Sequence, residues 1–140
     1  MAYVYGKRSL KNLEGVHPNL VAVMKEGITN CPYDITIIWG LRTAAQQNAL
    51  YKKRPKVTNC DGYRLKSNHQ AKSDGYGYAV DFVVLDKTKK DGFDWSTTSK
   101  YRAVARHFQA IAKSKGFRVD WGGDWKGSWD TPHLEYKGLL

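Results

Sequence analysis

The sequence predicts a compact α+β domain, and three observations support this fold class. At 140 residues the chain has the commonest length of a single domain, about 100 to 150 residues. Hydrophobic residues make up 41% of it, which is enough apolar material for a packed core. Segments with the spacing of amphipathic helices occur beside short runs of β-branched and aromatic residues, which are typical of strands. We therefore expect one domain over residues 1–140.

The N-terminal part of the chain is predicted to contain two short helices and a buried strand. Over residues 9–27 apolar residues recur at steps of three and four, which places them on one helix face. Gly15 and Pro18 interrupt this pattern, and Pro18 suits the first turn of a second helix because its missing N–H is not needed there. Residues 34–39 are rich in β-branched and aromatic types and are followed by glycine, which predicts a strand.

The remaining elements follow from the same signals. Residues 44–52 are predicted to form a helix that Thr43 caps, and residues 54–74 are polar enough to form a long loop that carries His69. Residues 77–85 regain strand character, and residues 86–94 are predicted to form a turn or the tip of a hairpin. The end of the chain is predicted to hold a helix over 99–115, closed by Gly116, and strands over 117–121 and 132–136.

The charge of the chain predicts attraction to polyanions. A net charge of +10 and a pI near 9.6 suit nucleic acid, an anionic membrane surface or a bacterial envelope. The basic residues are scattered, and Pro55 interrupts their densest cluster, at residues 51–56. A solvated basic surface is therefore preferred over a dedicated nucleic-acid site.

The cysteines and the hydropathy pattern exclude other classes. Cys31 and Cys60 are too few for a disulfide framework and are predicted to be free thiols in a reducing compartment. No apolar run approaches the length of about 20 residues that spans a bilayer, and the first residues lack the apolar core of a signal peptide. We expect a protein that is made in the cytoplasm and is not exported by a cleaved signal.

Three residues form a candidate zinc site. His69, Asp81 and His133 would supply two ring nitrogens and one carboxylate oxygen, and this set leaves a tetrahedral position open for water, as in catalytic zinc sites. Asp81 also interrupts an apolar strand, where an unpaired carboxylate needs a metal or a cation as its partner. Asp130, three residues before His133, is the candidate general base. Such loosely spaced residues also occur together by chance.

Several other polar residues allow both a functional and a structural interpretation. Arg42, at the exit of the strand over 34–39, is suited to binding a carboxylate or a developing oxyanion, and a surface salt bridge is an equal alternative. Glu135 and Asp124 are candidates for orienting a ligand histidine, although Asp124 equally suits a turn. His17 and His107 are interpreted as structural or surface histidines.

The spacing of these residues resembles that of the M15 family of zinc peptidases, which includes D-Ala-D-Ala carboxypeptidases and phage L-alanyl-D-glutamate endopeptidases. Two signatures carry this resemblance: Ser67-x-His69 with Gly77-x-Ala79-x-Asp81, and Trp121-Gly122-Gly123-Asp124-Trp125 with Asp130-x-Pro132-His133-x-Glu135. Residues 5–9, 15–18 and 40–46 resemble the opening of small phage endolysins of this family. The resemblance implies a small antiparallel sheet flanked by helices, the fold of the Hedgehog and DD-peptidase group.

The resemblance also implies roles for individual residues. His69, Asp81 and His133 match the zinc ligands, and Asp130 matches the catalytic acid/base. Arg42 matches an arginine near the substrate carboxylate or oxyanion, with Gln46 close by as a further substrate-binding residue. One departure is the distance from His69 to Gly77, eight residues where the family has three. This apparent insertion over residues 70–75 is expected to reshape the substrate cleft, although a longer loop need not move either ligand.

The implied function is zinc-dependent hydrolysis of the L-Ala-D-Glu bond in the peptidoglycan stem peptide. A phage endolysin of this kind would act as a monomer, collect in the host bacterial cytoplasm and reach the wall once the membrane is permeabilised. Its positive charge would favour the anionic cell envelope. The alternatives are a D-Ala-D-Ala carboxypeptidase of the same fold, or a basic module that binds the wall or nucleic acid without catalysis.

Overall fold

The structure is a computed structural model that describes residues 2–127 and 130–140. It confirms an α+β fold in which helices flank an antiparallel sheet. The elements in chain order are α1 (Lys7–Asn12), α2 (Pro18–Gly27), β1 (Ile35–Trp39), α3 (Ala44–Tyr51), β2 (Ala79–Leu85), β3 (Phe93–Asp94), α4 (Thr98–Ser114), β4 (Phe117–Trp121), a 3₁₀ turn (Gly122–Asp124) and β5 (His133–Leu139).

The sheet brings distant parts of the chain side by side. Its strands follow the order β1-β2-β5-β4, and β3 pairs with β2 as a short hairpin partner. All of these pairs are antiparallel, and the register places Asp81 of β2 opposite His133 of β5. Directly opposed residues in such a pair have their Cβ atoms about 4.5–5.5 Å apart. Two of the three candidate ligands are therefore neighbours because of strand register alone.

One hydrophobic core lies between the sheet and the two longer helices. The helices α2 and α4 pack against each other and contribute Leu20, Val23 and Phe108, which are fully buried with Phe82 of β2. These helical positions are ones that the apolar spacing predicts. Leu10 is an exception, since it is 46% exposed. Its helix, α1, ends at Asn12 and does not continue the apolar face of α2.

Two helix starts are capped by side chains, and the cap at Thr43 is the one predicted from the sequence. The ring of His17 accepts a hydrogen bond from the Asn19 N–H at 3.1 Å, and Pro18 occupies the first turn of α2. His17 thus has a local structural role. Thr43 caps α3 by accepting a hydrogen bond from the Gln46 N–H at 3.1 Å.

The last strand is longer than the sequence predicts. Strand character in the sequence ends near Tyr136, but β5 continues to Leu139 because Leu139 pairs with Phe117 of β4. Lys137 and Gly138 are weak strand formers, so pairing with a neighbouring strand overrides their local preference.

The cysteines and the apolar content of the helices can also be compared with the sequence. Cys31 and Cys60 are free thiols, as predicted. Within the described residues, no helix combines the length and the apolar composition that crossing a bilayer requires.

The start of α4 provides a pH-dependent contribution to stability. Asp94 is 2% exposed, accepts hydrogen bonds from the Ser96 and Thr97 N–H groups at 3.1 Å, and pairs with Lys100 at 3.0 Å. The Thr97 hydroxyl and the Lys100 ammonium hold the pKa of Asp94 well below its usual range. An acid with a depressed pKa in the folded state stabilises that state above its unfolded pKa, about 3.9, and this stabilisation is lost as the pH falls further.

We therefore expect Asp94→Asn to lower the Tm near neutral pH, because asparagine keeps an acceptor but loses the charge that pairs with Lys100. The difference in Tm from the wild type should be largest above pH 5 and should narrow as the pH falls below about 4. Thermal melts across this pH range measure it. Glu14→Gln, at an exposed residue with no ion pair in the described structure, is the control and should differ little from the wild type at any pH. A pH-independent loss for Asp94→Asn would contradict the electrostatic cause.

Candidate active site

His69, Asp81 and His133 lie together, and each can offer one donor atom such that all three atoms lie within 4.8 Å of one another. Asp81 and His133 are placed by the β2–β5 register. His69 comes from the loop before β2. Two backbone hydrogen bonds, to chain segments before and after this loop, hold the loop in place at His69. Its carbonyl accepts a hydrogen bond from the Arg42 N–H at 2.8 Å, and the Asn68 carbonyl accepts one from the Tyr78 N–H at 2.7 Å.

The extra residues between His69 and Gly77 form a closed turn that does not displace His69. The Lys72 N–H donates to the Tyr76 carbonyl at 2.9 Å, and the Gly75 N–H donates back to the Lys72 carbonyl at 2.8 Å. The chain then passes so close to His69 that a Cβ on Gly77 would lie 2.8 Å from the His69 carbonyl oxygen. Only glycine permits this approach, and residues 71–76 of the turn are exposed.

Each histidine is held through the ring nitrogen that faces away from Asp81. The Nδ1 atom of His69 lies 2.9 Å from the Gly40 carbonyl oxygen, and the Nε2 atom of His133 lies 2.7 Å from Glu135 Oε1. The other two nitrogens, His69 Nε2 and His133 Nδ1, each lie 3.2 Å from Asp81 Oδ1. Such second partners fix the ring orientation of metal-binding histidines. The contact with His133 is the one predicted for Glu135.

Asp124 does not contact a histidine. Its carboxylate forms a two-point ion pair with Arg106 of α4, with nitrogen–oxygen distances of 2.6 and 2.7 Å. The prediction that Asp124 orients a ligand is therefore wrong, because the 3₁₀ turn at Gly122–Asp124 directs this side chain toward α4. The turn interpretation fits the structure better.

Arg42 is buried and bound to the candidate ligand group. Its guanidinium donates to Asp81 Oδ2 at 2.9 Å and to Gln47 Oε1 at 3.0 Å, and it lies 4.5 Å from the centre of the Trp39 ring. With 8% of its surface exposed, it is not a surface salt bridge. Its Nε atom has no hydrogen-bond partner among the described residues.

The residue of α3 that forms a hydrogen bond with Arg42 is Gln47, the neighbour of the predicted substrate-binding residue Gln46. The Gln46 side chain is exposed and accepts a hydrogen bond from the Thr43 N–H at 2.9 Å, which completes the capping box of α3. Successive side chains on a helix point about 100° apart, so Gln47 faces inward and is fully buried. Sequence reasoning missed Gln47, since its signal, a glutamine on the inner face of a short helix, depends on knowing which face is inward.

The ionisable groups of the site are strongly coupled. Burial raises the pKa of Asp81, but His69 and His133 outweigh it and hold this pKa well below the usual range. Burial lowers the pKa of His133, whereas hydrogen bonds to Asp81 and Glu135 raise it to about 10. Burial also opposes ionisation of Glu135, yet His133 brings its pKa down to about 2. Metal binding through these histidines would compete with their protonation.

Asp130 lies beside the ligand group on the chain segment that enters β5. Its Oδ2 atom is 3.7 Å from His133 Nδ1. Burial and the nearby Asp81 raise its pKa, while His133, His69 and Arg42 act against them. A carboxylate whose pKa is raised accepts a proton more readily near neutral pH.

The segment that carries Asp130 is tied to the glycine turn. The Trp121 ring N–H donates to the Thr131 carbonyl at 2.7 Å. A Cβ on Gly122 would overlap the Asp130 backbone oxygen and lie 2.8 Å from its Cβ. The absence of a side chain at Gly122 therefore allows Asp130 to pack against the glycine turn.

These side chains open into a cleft of about 350 Å³. One part of its wall consists of the three candidate ligands with Asp130, Arg42 and the Trp39 and Trp125 rings. The end of α3 and the following loop add Leu50, Lys53, Val57, Thr58, Cys60 and Lys66 to the lining. The long loop predicted from the sequence thus lines part of the cleft.

Comparison with known proteins agrees with this geometry. The family model described as phage L-alanyl-D-glutamate peptidase matches residues 1–139. The L-alanyl-D-glutamate peptidase of Escherichia phage T5 is 32% identical over 137 residues, which cover 98% of this chain and 91% of that protein. The Bacillus subtilis peptidoglycan L-alanyl-D-glutamate endopeptidase CwlK is 34% identical over 118 residues, or 80% of this chain and 66% of CwlK.

A solved structure resembles the whole fold. The crystal structure of the Serratia marcescens L-Ala D-Glu endopeptidase ChiX superposes with a TM-score of 0.74 at 29% identity, covering 96% of this chain and 90% of ChiX. The fold and the site, with its possible metal-binding group, define a peptidase. The family match is more specific. The chain belongs to the phage L-alanyl-D-glutamate peptidase family.

We expect Gly122→Ala to reduce kcat about 10- to 100-fold, because its Cβ would displace Asp130, the candidate general base, and a shift of an ångström in such a group has an effect of that order. Steady-state kinetics on purified peptidoglycan measures the loss, and thermal melts confirm that the variant is folded. Gly6→Ala is the control, since a Cβ at Gly6 meets nothing within 4 Å. Unchanged kcat in Gly122→Ala would show that the position of Asp130 does not depend on this contact.

Proposed function

We propose that this chain is a zinc-dependent peptidoglycan peptidase that hydrolyses the L-Ala-D-Glu bond of the stem peptide. The observation that carries the proposal is the set of three donor atoms within 4.8 Å of one another, beside Asp130, in a member of this family. Residues 1–140 would form a single, monomeric peptidase domain.

The donor set suits zinc. His69 and His133 offer nitrogen, Asp81 offers oxygen, and three protein ligands leave a position open, as expected for catalytic zinc. The partners Gly40 and Glu135 hold both imidazole rings through their remaining nitrogens. Bound zinc would lower the pKa of a water molecule and polarise the scissile carbonyl.

The chain's own residues supply the proton transfers and fixed charges. Asp130 is the general base, which accepts a proton from the attacking water and delivers it to the departing amine of D-glutamate. The raised pKa of Asp130 favours this cycle near neutral pH. Arg42 restrains Asp81 through its bond to Oδ2 and provides a positive charge beside the developing oxyanion.

The choice of bond rests on the relatives, since the phage T5, Bacillus and Serratia proteins are all named for the L-Ala-D-Glu linkage. We further propose the role of a phage endolysin. The protein would collect in the host bacterial cytoplasm and reach the wall once the membrane is permeabilised. Its net charge of +10 favours the anionic envelope, and this attraction weakens with salt.

Digestion of purified peptidoglycan, followed by mass spectrometry, tests both the bond and the metal. We expect fragments with a new N-terminal D-glutamate, and we expect chelation of metal to abolish them and added zinc to restore them. Release of terminal alanine would instead indicate a carboxypeptidase. Wall binding without any cleavage would indicate a non-catalytic module. Cleavage that persists after complete metal removal would contradict the zinc proposal.

We expect Asp130→Asn to reduce kcat by about 100- to 10,000-fold while zinc still binds, because an amide cannot accept the proton. Single-turnover kinetics and metal analysis measure the two properties separately. Asp91→Asn, in the exposed turn before β3, is the matched control and should keep full activity. Near-normal turnover by Asp130→Asn would remove Asp130 from its role as the base.

A further inference from the structure

The proposed substrate places an anion close to the scissile bond. Glutamate has two carboxyl groups, and its amine lies in the bond to L-alanine. Only one of the carboxyl groups can continue the peptide, so the other is a free carboxylate unless it is amidated. An enzyme that cleaves this bond therefore either binds this carboxylate in its cleft, on the leaving-group side of the bond, or leaves the carboxylate exposed to water.

Three cationic side chains line the cleft within the described residues, namely Arg42, Lys53 and Lys66. Arg42 is already engaged, because its two terminal nitrogens bind Asp81 and Gln47 and its side chain is almost wholly buried. A new carboxylate would have to displace Asp81 or Gln47 to form a two-point contact with it. Arg42 is thus poorly placed to recognise the glutamate.

Lys53 and Lys66 have the opposite properties. Both are exposed, and neither has an ion pair with a described residue. They come from the two ends of the loop that lines part of the cleft: Lys53 follows α3, and Lys66 lies three residues before His69. A lysine has a long, flexible stem that carries a compact charge, so each can reach an anion bound in the cleft that it lines.

The acids of the cleft do not neutralise these lysines. Asp81 is bound by Arg42 and by both histidines, and Glu135 is bound by His133, Asn68 and Lys137. Asp130 lies beside His133. Lys53 and Lys66 form no ion pair with these acids, so their positive charges remain available to a ligand.

We propose that Lys53 and Lys66 bind the free carboxylate of the D-glutamate residue and make the enzyme prefer the acid over its carboxamide. This assignment rests on the proposed function and deepens it. It assigns carboxylate recognition to the two lysines and leaves Arg42 to act on Asp81 and the oxyanion. Because both lysines are solvent-exposed, the preference should diminish as salt is added.

The test compares two synthetic stem peptides that differ only in this group, a carboxylate or a carboxamide. The wild type should have the lower KM for the carboxylate. In Lys53→Glu/Lys66→Glu, the KM for the carboxylate peptide should rise roughly tenfold, as expected when two exposed charge contacts are reversed. The kcat of this variant, and its KM for the carboxamide peptide, should change by less than about threefold.

Two control variants distinguish recognition of the carboxylate by these lysines from an effect of net charge and from a structural effect of the substitutions. Lys89→Glu/Lys90→Glu changes the net charge equally on the exposed turn between β2 and β3, and it should keep the wild-type preference. Lys53→Arg/Lys66→Arg should also keep it, because the positive charges remain.

The failures of the two proposals are distinguishable. If the wild type cleaves both peptides with the same KM, or if Lys53→Glu/Lys66→Glu keeps the preference, the assignment of the lysines is wrong while the proposed function stands. An equal loss of preference in the Lys89→Glu/Lys90→Glu control would also overturn the assignment. If the wild type cleaves neither peptide, the proposed function fails and the assignment fails with it.

Discussion

The site depends on a carboxylate, that of Asp81, in the middle of the sheet. A buried, unpaired carboxylate is costly by several kcal/mol, and Asp81 lies between the apolar residues Val80 and Phe82, both fully buried. Arg42 satisfies one of its oxygens, and His69 and His133 approach the other. Compensation of this single charge therefore depends on side chains from β5, from the end of β1 and from the loop before β2, which strand register and backbone hydrogen bonds bring together.

Each partner of Asp81 is in turn held by a different element. Gly40, at the end of β1, holds His69; Gln47 of α3 holds Arg42; and Glu135 of β5 holds His133. Positions fixed in this way lose little entropy when a ligand binds, because the side chains are already ordered. Arg42 and the two histidines bind Asp81, and His133 also binds Glu135. Among the lysines and arginines that line the cleft, Lys53 and Lys66 are therefore the ones that remain available to a substrate.

The local features of the fold were predictable from the sequence. Apolar spacing predicted α2 and α4, β-branched runs predicted β1 and β2, and the cap of α3 at Thr43 was predicted from its residue type. The three candidate metal-binding residues were also identified: Asp81 because a carboxylate that interrupts an apolar strand is visible without coordinates, and the whole set because its motifs resemble those of a zinc peptidase family. The signals for helices, strands and caps are carried by residues within a few positions of one another, where backbone geometry is set by local chemistry.

Features that depend on spatial neighbours were not predictable in this way. The sequence by itself determined the α+β class, most of the helices and strands, and the residue types able to hold a metal. Only the tertiary structure decided that Gln47 rather than Gln46 reaches Arg42, that Asp124 pairs with Arg106, and that β5 extends to Leu139. The physical reason is tertiary packing in each case. Contacts between segments far apart in the chain select the partners of Asp124 and β5, and they also decide which face of α3 points inward, so no local pattern encodes these choices.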